Sequence, residues 1–336
     1  MRQRCGCTPL GGRLVSVDPR ARAWLSARTS TSQDWPLLDV LAAKGGHRIA
    51  VIIPAKDEQA TVGALVGQIR QHLMSGHHRL VDDLLVVDSD SIDATAAIAT
   101  AAGARVLATS QIQPDIPSLP GKGEAMWRGV AATDADIIVF LDADLHSFEP
   151  HHVAALVGPL LADDRLELVK AAYARALGDV PEAGGRVTEL VARPLINLHW
   201  PELAGVVQPL AGEYAVRREH FSSLPIPIGY GVEIALLLDT ARTRGLDAIA
   251  QVDLGERRHR HHGEAYLGRM AAEIWQTALA RLDAAMTASE GSKDGVIVQF
   301  TRQESILTPV EHDVEALERP PLTVVAERYR PALEQT

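Results

Sequence analysis

One stretch of the chain, residues 137–144, constrains the fold more than any other. Five apolar residues in a row, with β-branched residues leading, are typical of a strand that is buried on both faces of a parallel sheet. The run stops at Asp142 and Asp144, which are separated by Ala143. At the carboxyl end of such a strand, this pair of carboxylates could meet a Mg²⁺ ion and a phosphate group. Two acids in a solvated loop would give the same pattern, so other segments have to decide.

Two earlier strands also end in polar loops. The apolar run 49–54 is followed by the loop 55–58, and the run 84–87 is followed by residues 88–91, in which Asp and Ser alternate. Apolar residues at helical spacing follow each loop. This gives the β-α-β-α-β pattern of an α/β protein with a Rossmann-like, mostly parallel sheet flanked by helices. Because the carboxyl ends of parallel strands meet at one edge, the three polar loops predict a nucleotide pocket there.

The usual nucleotide fingerprints are missing from these loops. No G-x-G-x-x-G motif follows the first strand, and Gly121-Lys122-Gly123 lacks the spacing and the Ser or Thr of a P-loop. A D-x-D motif without a P-loop favours a nucleotide-sugar donor. A sugar-phosphate nucleotidyltransferase would carry a glycine-rich loop after the first strand, which residues 54–57 do not provide. A degenerate nucleotide-sugar-binding protein stays open as a non-enzymatic alternative.

The second half of the chain offers three further candidate sites. Residues 184–188 form a glycine-rich loop that enters a helix, which is either an anion site or a flexible turn. Glu233 lies at the start of an apolar helix. It is either a catalytic carboxylate or an acid in the first helical turn that the helix dipole favours. The run 256–262 holds mostly basic and histidine side chains. Such a run is either a solvated loop or a source of metal and phosphate ligands.

Composition and charge exclude several classes of protein. The net charge of −10 argues against general nucleic-acid binding. No apolar run approaches the roughly 18 residues that a membrane span requires, and no apolar segment of a signal peptide follows the first arginines. Cys5 and Cys7 are the only cysteines, too close for an ordinary disulfide, which favours a reducing cytoplasm.

The longer motifs resemble one enzyme family, the glucosyl-3-phosphoglycerate synthases. These are retaining glycosyltransferases of the GT-A fold, and their close relatives use GDP-mannose to make mannosyl-3-phosphoglycerate. The resemblance covers about residues 34–282 and, weakly, the tail at Arg319-Pro320-Pro321. Its strongest matches are Ile53-Pro54-Ala55-x-Asp57-Glu58, Pro120-Gly121-Lys122-Gly123-Glu124, residues 185–195, Gln208-Pro209-Leu210-x-Gly212-Glu213-Tyr214 and residues 229–234.

The resemblance implies transfer of glucose from UDP-glucose to the 2-hydroxyl of 3-phosphoglycerate, with Mg²⁺ or Mn²⁺ as cofactor. Asp144 and His259 would bind the metal ion. Glu233 would orient the transferred sugar beside the Leu210 backbone. The implied donor-binding residues are Pro54, Ala55, Lys56, Glu58, Ser89, Lys122, Asp142, Ala143 and Tyr230. The implied acceptor-binding residues are Gly185, Arg186, Thr188 and His261.

Three residues depart from the family pattern. Ala143 replaces the Ser inside the D-x-D motif, Lys56 replaces an apolar residue in the donor loop, and His261 stands where an Asn is expected. The first change leaves the metal ligands in place, and the second could add a contact to the nucleotide. The third change, His261, affects how well the acceptor fits in its site.

The predicted organisation has four parts. They are a disordered leader (1–34), a nucleotide-sugar-binding half of the GT-A domain (35–150), an acceptor-binding half (151–264) and a C-terminal helix and tail (265–336). The resemblance further implies a homodimer, formed through the C-terminal helix and tail.

Overall fold

The computed structural model describes residues 18–76, 79–145, 148–175, 185–257, 264–282, 296–303, 306–313 and 317–328. Twelve strands lie in these ranges. They are β1 (Thr29–Thr31), β2 (Ile49–Ala55), β3 (Asp83–Asp88), β4 (Arg105–Ala108), β5 (Ile137–Phe140), β6 (Leu168–Arg175), β7 (Tyr214–Arg217), β8 (Ile226–Pro227), β9 (Ile249–Arg257), β10 (Val296–Gln303), β11 (Ile306–Asp313) and β12 (Glu318–Arg319).

Eleven α-helices accompany the described strands. They are α1 (Pro19–Arg28), α2 (Leu37–Lys44), α3 (Val62–Leu73), α4 (Thr95–Ala102), α5 (Lys122–Ala131), α6 (His151–Ala162), α7 (Arg193–His199), α8 (Arg218–Ser222), α9 (Val232–Arg244), α10 (Glu264–Leu279) and α11 (Leu322–Arg328). A π-helical turn, Thr188–Ala192, leads directly into α7.

Eight strands form one sheet in the order β1-β9-β6-β7-β5-β2-β3-β4. Strand β7 runs antiparallel to β5 and β6, and the remaining neighbours are parallel. The prediction of an α/β fold with a mostly parallel sheet flanked by helices is therefore confirmed. The strands predicted from the apolar runs 49–54, 84–87 and 137–141 also occur there, as β2, β3 and β5, and each end agrees to within about one residue.

Helices cover both faces of the sheet, so that its central strands are buried on both sides. Along β2, Ile49, Val51 and Ile53 point to one hydrophobic cluster, whereas Ala50 and Ile52 point to the other. This alternation is the two-residue period of a strand. Helices α2, α3, α4 and α6 pack on the first face, and α5, α7, α9 and α10 pack on the second. A strand that is covered twice needs a continuous apolar run, which is why the runs were visible in the sequence.

The prediction of a disordered leader over residues 1–34 is wrong for residues 18–34. Helix α1 is capped by Asp18, whose Oδ1 accepts a hydrogen bond from the backbone N–H of Arg20 at 2.7 Å. Trp24 is buried, and its Nε1 donates to the carbonyl of Ile249 at 2.9 Å. Strand β1 then pairs in parallel with β9 at the edge of the sheet. Residues 1–17 lie outside the described residues.

The C-terminal part contains more than the predicted helix and tail. Helix α10 spans Glu264–Leu279, close to the start of the predicted C-terminal part at residue 265. Strands β10 and β11 form an antiparallel hairpin that the sequence had not suggested. Strand β12 pairs with β8, and α11 follows it. The division into donor and acceptor halves stays a prediction. Among the described helices, none combines the length and the apolar character needed to cross a membrane.

Candidate active site

The three predicted polar loops lie side by side at one edge of the sheet. Ala55, the last residue of β2, pairs with Asp88, the last residue of β3. The backbone N–H of Ser89 donates to the carbonyl of Ala55 at 2.9 Å. On the other side of β2, Ile52 pairs with Phe140 of β5, two residues before Asp142. The prediction that the three strand ends converge is confirmed.

Hydrogen bonds join the first two loops into one unit. The backbone N–H of Asp57 donates to Ser91 Oγ at 3.0 Å, and that of Glu58 donates to Thr95 Oγ1 at 2.8 Å. Asp57 and Asp90 both have φ near +57°, at 57° and 58°, a conformation that Asp tolerates better than most residues. In this unit Pro54, Glu58 and Ser89 are partly exposed and Lys56 is exposed, as contacts to a ligand would require.

The D-x-D motif follows β5 with its acids toward the open edge of the sheet. Ala143 and Leu145 are buried, whereas Asp142 and Asp144 are partly exposed. Thr61 Oγ1, at the start of α3, donates to the Ala143 carbonyl at 2.7 Å and fixes the backbone between the two acids. Carboxylate oxygens are the ligands that Mg²⁺ and Mn²⁺ prefer, so the donor set fits either ion.

Two glycines bring Lys122 to the same edge. Gly121 has φ +143°, and a Cβ on it would lie 2.2 Å from the Ile228 carbonyl oxygen. A Cβ on Gly123 would lie 1.8 Å from the carbonyl oxygen of Pro227. Helix α5 can therefore begin directly against residues 227–228 only because both positions lack a side chain. This close approach explains the Gly-Lys-Gly sequence that is not a P-loop.

The ammonium of Lys122 bridges two carboxylates. Its Nζ donates a hydrogen bond to Asp142 Oδ1 at 2.6 Å. The same Nζ lies 2.6 Å from Glu233 Oε1, where the angles fit an ion pair but not a hydrogen bond. Burial would lower the pKa of Lys122, but Asp142 and Glu233 outweigh it and hold that pKa well above its ordinary value. Lys122 is therefore a permanent cation between a strand-end acid and a helix-start acid.

Glu233 is held in place by the turn before α9. The backbone N–H of Tyr230 donates to Glu273 Oε2 at 2.8 Å, and a Cβ on Gly229 would lie 2.2 Å from the same oxygen. The hydroxyl groups of Tyr230 and Tyr266 are hydrogen-bonded to each other. Helix α10 therefore fixes both the backbone and the side chain of the turn that presents Glu233. Burial raises the pKa of Tyr230, so its hydroxyl stays neutral.

The turn that carries Leu210 lies directly against the D-x-D motif. The backbone N–H of Ala211 donates to the Gln208 carbonyl at 3.1 Å, which closes the turn. A Cβ on Gly212 would lie 2.2 Å from Asp142 Oδ1. Leu210 thus belongs to a turn that touches the same carboxylate as Lys122, and the structure brings these predicted residues together.

The predicted acceptor residues lie at the start of the helical segment 186–199. Gly185 has φ +83°, and the backbone N–H of Glu189 donates to its carbonyl at 2.9 Å. Thr188 is buried, and Arg186 is partly exposed. Val187 packs in the same hydrophobic cluster as Val232, so this segment and α9 share one face of the sheet. The predicted metal ligand His259 and the predicted acceptor-binding residue His261 lie outside the described residues.

A buried charge cluster behind Lys122 was missed in the sequence. Glu124 and Arg128, one helical turn apart on α5, are fully buried, and Arg128 Nε donates to Glu124 Oε1 at 2.7 Å. Arg319 of β12 binds the same carboxylate. Arg128 also donates to the carbonyls of Ile116 and Pro117 in the proline-rich loop before α5. The i, i+4 spacing was the one visible signal, and on most helices it marks an exposed pair.

Known proteins match this architecture and sequence. The model of glycosyl transferase family 2 matches residues 50–180. Glucosyl-3-phosphoglycerate synthase of Mycolicibacterium paratuberculosis is 44% identical over 315 residues, which cover 91% of this chain and 93% of that protein. The chain belongs to the glucosyl-3-phosphoglycerate synthase family. A member of this family from Petrotoga mobilis is 40% identical over 85% of this chain and 90% of its own length.

Solved structures of the glucosyl-3-phosphoglycerate synthase family agree with the fold. The Mycobacterium tuberculosis enzyme in complex with Mg²⁺ and UDP has a TM-score of 0.79 and 44% identity, and the match covers 89% of this chain and 99% of that one. The same enzyme in complex with Mn²⁺, UDP-glucose and phosphoglyceric acid has a TM-score of 0.77 and 43% identity, over 89% and 98% of the two chains. The GT-A fold expected from the sequence is confirmed.

Proposed function

We propose that the chain transfers glucose from UDP-glucose to the 2-hydroxyl of 3-phosphoglycerate and uses Mg²⁺ or Mn²⁺. The observation that carries this proposal is the cation of Lys122, held between Asp142 and Glu233 beside the D-x-D motif, in a chain of this family. The Mycolicibacterium and Petrotoga relatives are named glucosyl-3-phosphoglycerate synthases. The Mycobacterium tuberculosis enzyme was solved in complex with Mn²⁺, UDP-glucose and phosphoglyceric acid, and in complex with Mg²⁺ and UDP. A mannosyl enzyme that uses GDP-mannose is the second candidate, and the names of the relatives disfavour it.

The donor would lie along the three strand ends. Pro54, Ala55, Lys56, Glu58 and Ser89 would contact the nucleotide from the first two loops. Asp142 and Ala143 would meet its ribose and diphosphate from the third. Asp144 would bind the divalent cation, with His259 as the second ligand that the resemblance implies. When bound, that ion neutralises negative charge on the departing UDP.

The residues around Lys122 would then act on the sugar. Lys122 would face the diphosphate and, together with the metal ion, stabilise the negative charge that develops on it. Glu233 is buried and fixed by its turn, so it can hold a glucose hydroxyl in one orientation. The Leu210 backbone and Tyr230 would flank the anomeric carbon. Fixed groups of this kind lower the barrier because their orientation is set before the reaction.

The acceptor would be held by its anionic groups. Gly185, Arg186 and Thr188 would bind the phosphate and carboxylate of 3-phosphoglycerate, and the resemblance implies His261 as a further acceptor-binding residue. We further propose retention of the anomeric configuration by attack on the same face. The bond from the anomeric carbon to the UDP oxygen breaks, a bond to the acceptor oxygen forms, and the hydroxyl proton passes to the departing phosphate oxygen. A homodimer and a cytoplasmic location stay predictions from the sequence.

A transfer assay tests the proposal. Purified protein, Mg²⁺ and 3-phosphoglycerate are incubated with UDP-glucose or with GDP-mannose, and the products are separated by mass. We expect glucose transfer that is lost on removal of the metal by EDTA and in Asp144→Ala. Asp164→Ala removes an acid whose side chain is 95% exposed and serves as the control, with unchanged activity. Preference for GDP-mannose would make the chain a mannosyltransferase, and no transfer to 3-phosphoglycerate from either donor would refute the acceptor.

A further inference from the structure

Lys170 is a lysine in the middle of the sheet that the reaction described above does not use. It lies in β6 opposite Tyr214 of β7, and only 1% of its surface is exposed. An ammonium group loses much hydration free energy on such burial. An apolar side chain of similar length would avoid that cost, so the presence of Lys170 requires an explanation.

The contacts of the Lys170 ammonium point to one turn. Its Nζ donates a hydrogen bond to the carbonyl of Ala211 at 3.0 Å, the one acceptor that it has among the described residues. It also lies 4.8 Å from the centroid of the Tyr214 ring, within the range of a cation–π contact. Ala211 follows Leu210 in the turn that touches the D-x-D motif.

Strand β6 supports this turn at three places. The backbone N–H of Ala171 donates to the Glu213 carbonyl at 3.0 Å, and Gln208 Nε2 donates to the Tyr173 carbonyl at 3.1 Å. The hydrogen bond from Lys170 to Ala211 lies between these two, and it is the one with a charged donor. Because Gly212 has no room for a Cβ beside Asp142, a small displacement of the turn would displace that carboxylate as well.

Lys170 also acts on Glu233 through its charge. Burial lowers the pKa of Lys170 to about 8, and among its neighbours Glu233 opposes this effect most strongly, with Asp142 also opposing it and Lys122 adding to it. Glu233 therefore lies in the field of two lysines. Lys122 is positioned to meet the diphosphate, whereas Lys170 is enclosed by the sheet and cannot move.

We propose that Lys170 is a positioning residue, which fixes residues 210–212 against Asp142 and supplies a fixed positive charge that acts on Glu233. The roles of Leu210 and Glu233 in this inference rest on the proposed function, but the anchoring of the turn does not. When the donor diphosphate binds the ammonium of Lys122, Lys170 remains as a second positive charge that attracts the Glu233 carboxylate.

The variant Lys170→Met tests the inference in the full chain, because Met has a similar length and no charge. We expect kcat for glucose transfer to fall about 30-fold, since small errors in the position of reacting groups cost up to about 100-fold. The KM for UDP-glucose should change less than about threefold. The unfolding midpoint should equal or exceed that of the wild type, because the variant removes a buried charge.

Hydrogen exchange gives a readout that does not depend on activity. We expect amides in residues 208–214 to exchange about tenfold faster in Lys170→Met, with the rest of the sheet unchanged. Lys44→Met is the control, because Lys44 is 12% exposed and pairs with Asp82 at the opposite end of the strands. It should leave both kcat and the exchange of residues 208–214 unchanged.

Any one of three results would overturn the inference. The first is a kcat of Lys170→Met within twofold of the wild type, and the second is unchanged hydrogen exchange in residues 208–214. The third is faster exchange throughout the sheet together with a lower unfolding midpoint. If the wild type transfers no glucose to 3-phosphoglycerate, the proposed function fails by itself, and the exchange measurement alone decides whether Lys170 anchors the turn.

Discussion

The guanidinium of Arg319 binds the carboxylate of Glu124 across 195 positions of the chain. Nε donates to Oε2 at 2.6 Å, and Nη2 donates to Oε1 at 2.7 Å. Glu124 comes two residues after Lys122 on α5 and is fully buried. A strand of two residues near the end of the described chain therefore fixes the helix that presents the central cation of the site.

Removing this contact should weaken both the fold and the donor site. In Arg319→Ala, the buried carboxylate of Glu124 keeps Arg128 and the backbone N–H of Leu119 but loses its second arginine, so we expect the free energy of unfolding to fall by about 2–4 kcal/mol. The KM for UDP-glucose should rise because the start of α5 loosens. For Arg319→Lys, we expect a free energy of unfolding between those of the wild type and Arg319→Ala, since an ammonium group cannot bind both oxygens of the carboxylate at once. Urea titration and steady-state kinetics measure these effects.

An exposed arginine provides the control for that experiment. Arg242 is 64% exposed and pairs with Asp239 at 3.3 Å. Arg242→Ala should change the free energy of unfolding by less than about 1 kcal/mol, because Arg242 is exposed and the buried Asp239 keeps its ion pair with Arg281 at 2.8 Å. Equal losses in Arg319→Ala and Arg242→Ala would show that burial of the Glu124 contact contributes nothing.

Loss of the Lys122 charge should separate stability from activity. In Lys122→Met, Asp142 and Glu233 face each other without their shared cation, and we expect lower stability and a fall in kcat of at least about 100-fold. In the double variant Lys122→Met/Glu233→Gln, the repulsion is removed, so stability should recover while activity stays low. Thermal unfolding and the transfer assay distinguish the two. Recovery of activity in the double variant would contradict the proposed role of Lys122.

A methyl group at position 212 should disturb the D-x-D motif alone. In Gly212→Ala, the new Cβ would lie 2.2 Å from Asp142 Oδ1, so the carboxylate must turn away from Lys122. We expect kcat to fall at least about tenfold, because groups stabilise a developing charge only when they are held in the correct position. Gly67→Ala is the matched control in α3, where a Cβ meets no atom within 4 Å. It should stabilise the protein by about 0.5–1 kcal/mol and leave kcat unchanged.

The advantage in stability of Lys170→Met should depend on pH. The pKa of Lys170 is about 8 in the folded protein and near 10.5 in the unfolded chain. Below pH 8 both states hold the proton, so the wild type bears the full cost of the buried charge. Between pH 8 and 10.5 the folded state releases its proton first, and the stability of the wild type rises by roughly 3 kcal/mol.

Unfolding of the wild type and of Lys170→Met at pH 7 and pH 9.5 checks this prediction. The difference in free energy between the two proteins should be larger at pH 7. A difference that is constant or grows toward pH 9.5 would mean that Lys170 keeps an ordinary pKa in the folded state.

The strand ends could be predicted from the sequence because burial leaves a local signal. An apolar run such as 137–141 is needed for a strand covered on both faces, and the polar residues after it can only lie at the edge. The contacts of Lys122 could not be predicted this way. They depend on the close approach of α5 to residues 227–228, and a sequence shows the two glycines without showing what they face.

Other features were missed because they have no local pattern. Strand β1 has three residues, which are too few to show a two-residue period. Helix α1, which precedes it, buries only Ala21 and Trp24 and therefore lacks an apolar stripe. Arg319 and Lys170 look like surface residues by type, since charged side chains are seldom buried. Only the positions of their partners in space show that they are structural or functional.

The pairing of β1 with β9 also affects the order of events during synthesis. The indole of Trp24 reaches a carbonyl 225 positions later in the chain. On the ribosome, α1 and β1 must therefore wait until almost all of the sheet has been made, and contacts between distant positions form slowly. Once β9 has been made, it presents an unpaired edge that can join another chain until β1 has paired with it. Aggregation during expression should therefore be most sensitive to residues 18–34, which take no part in the proposed chemistry.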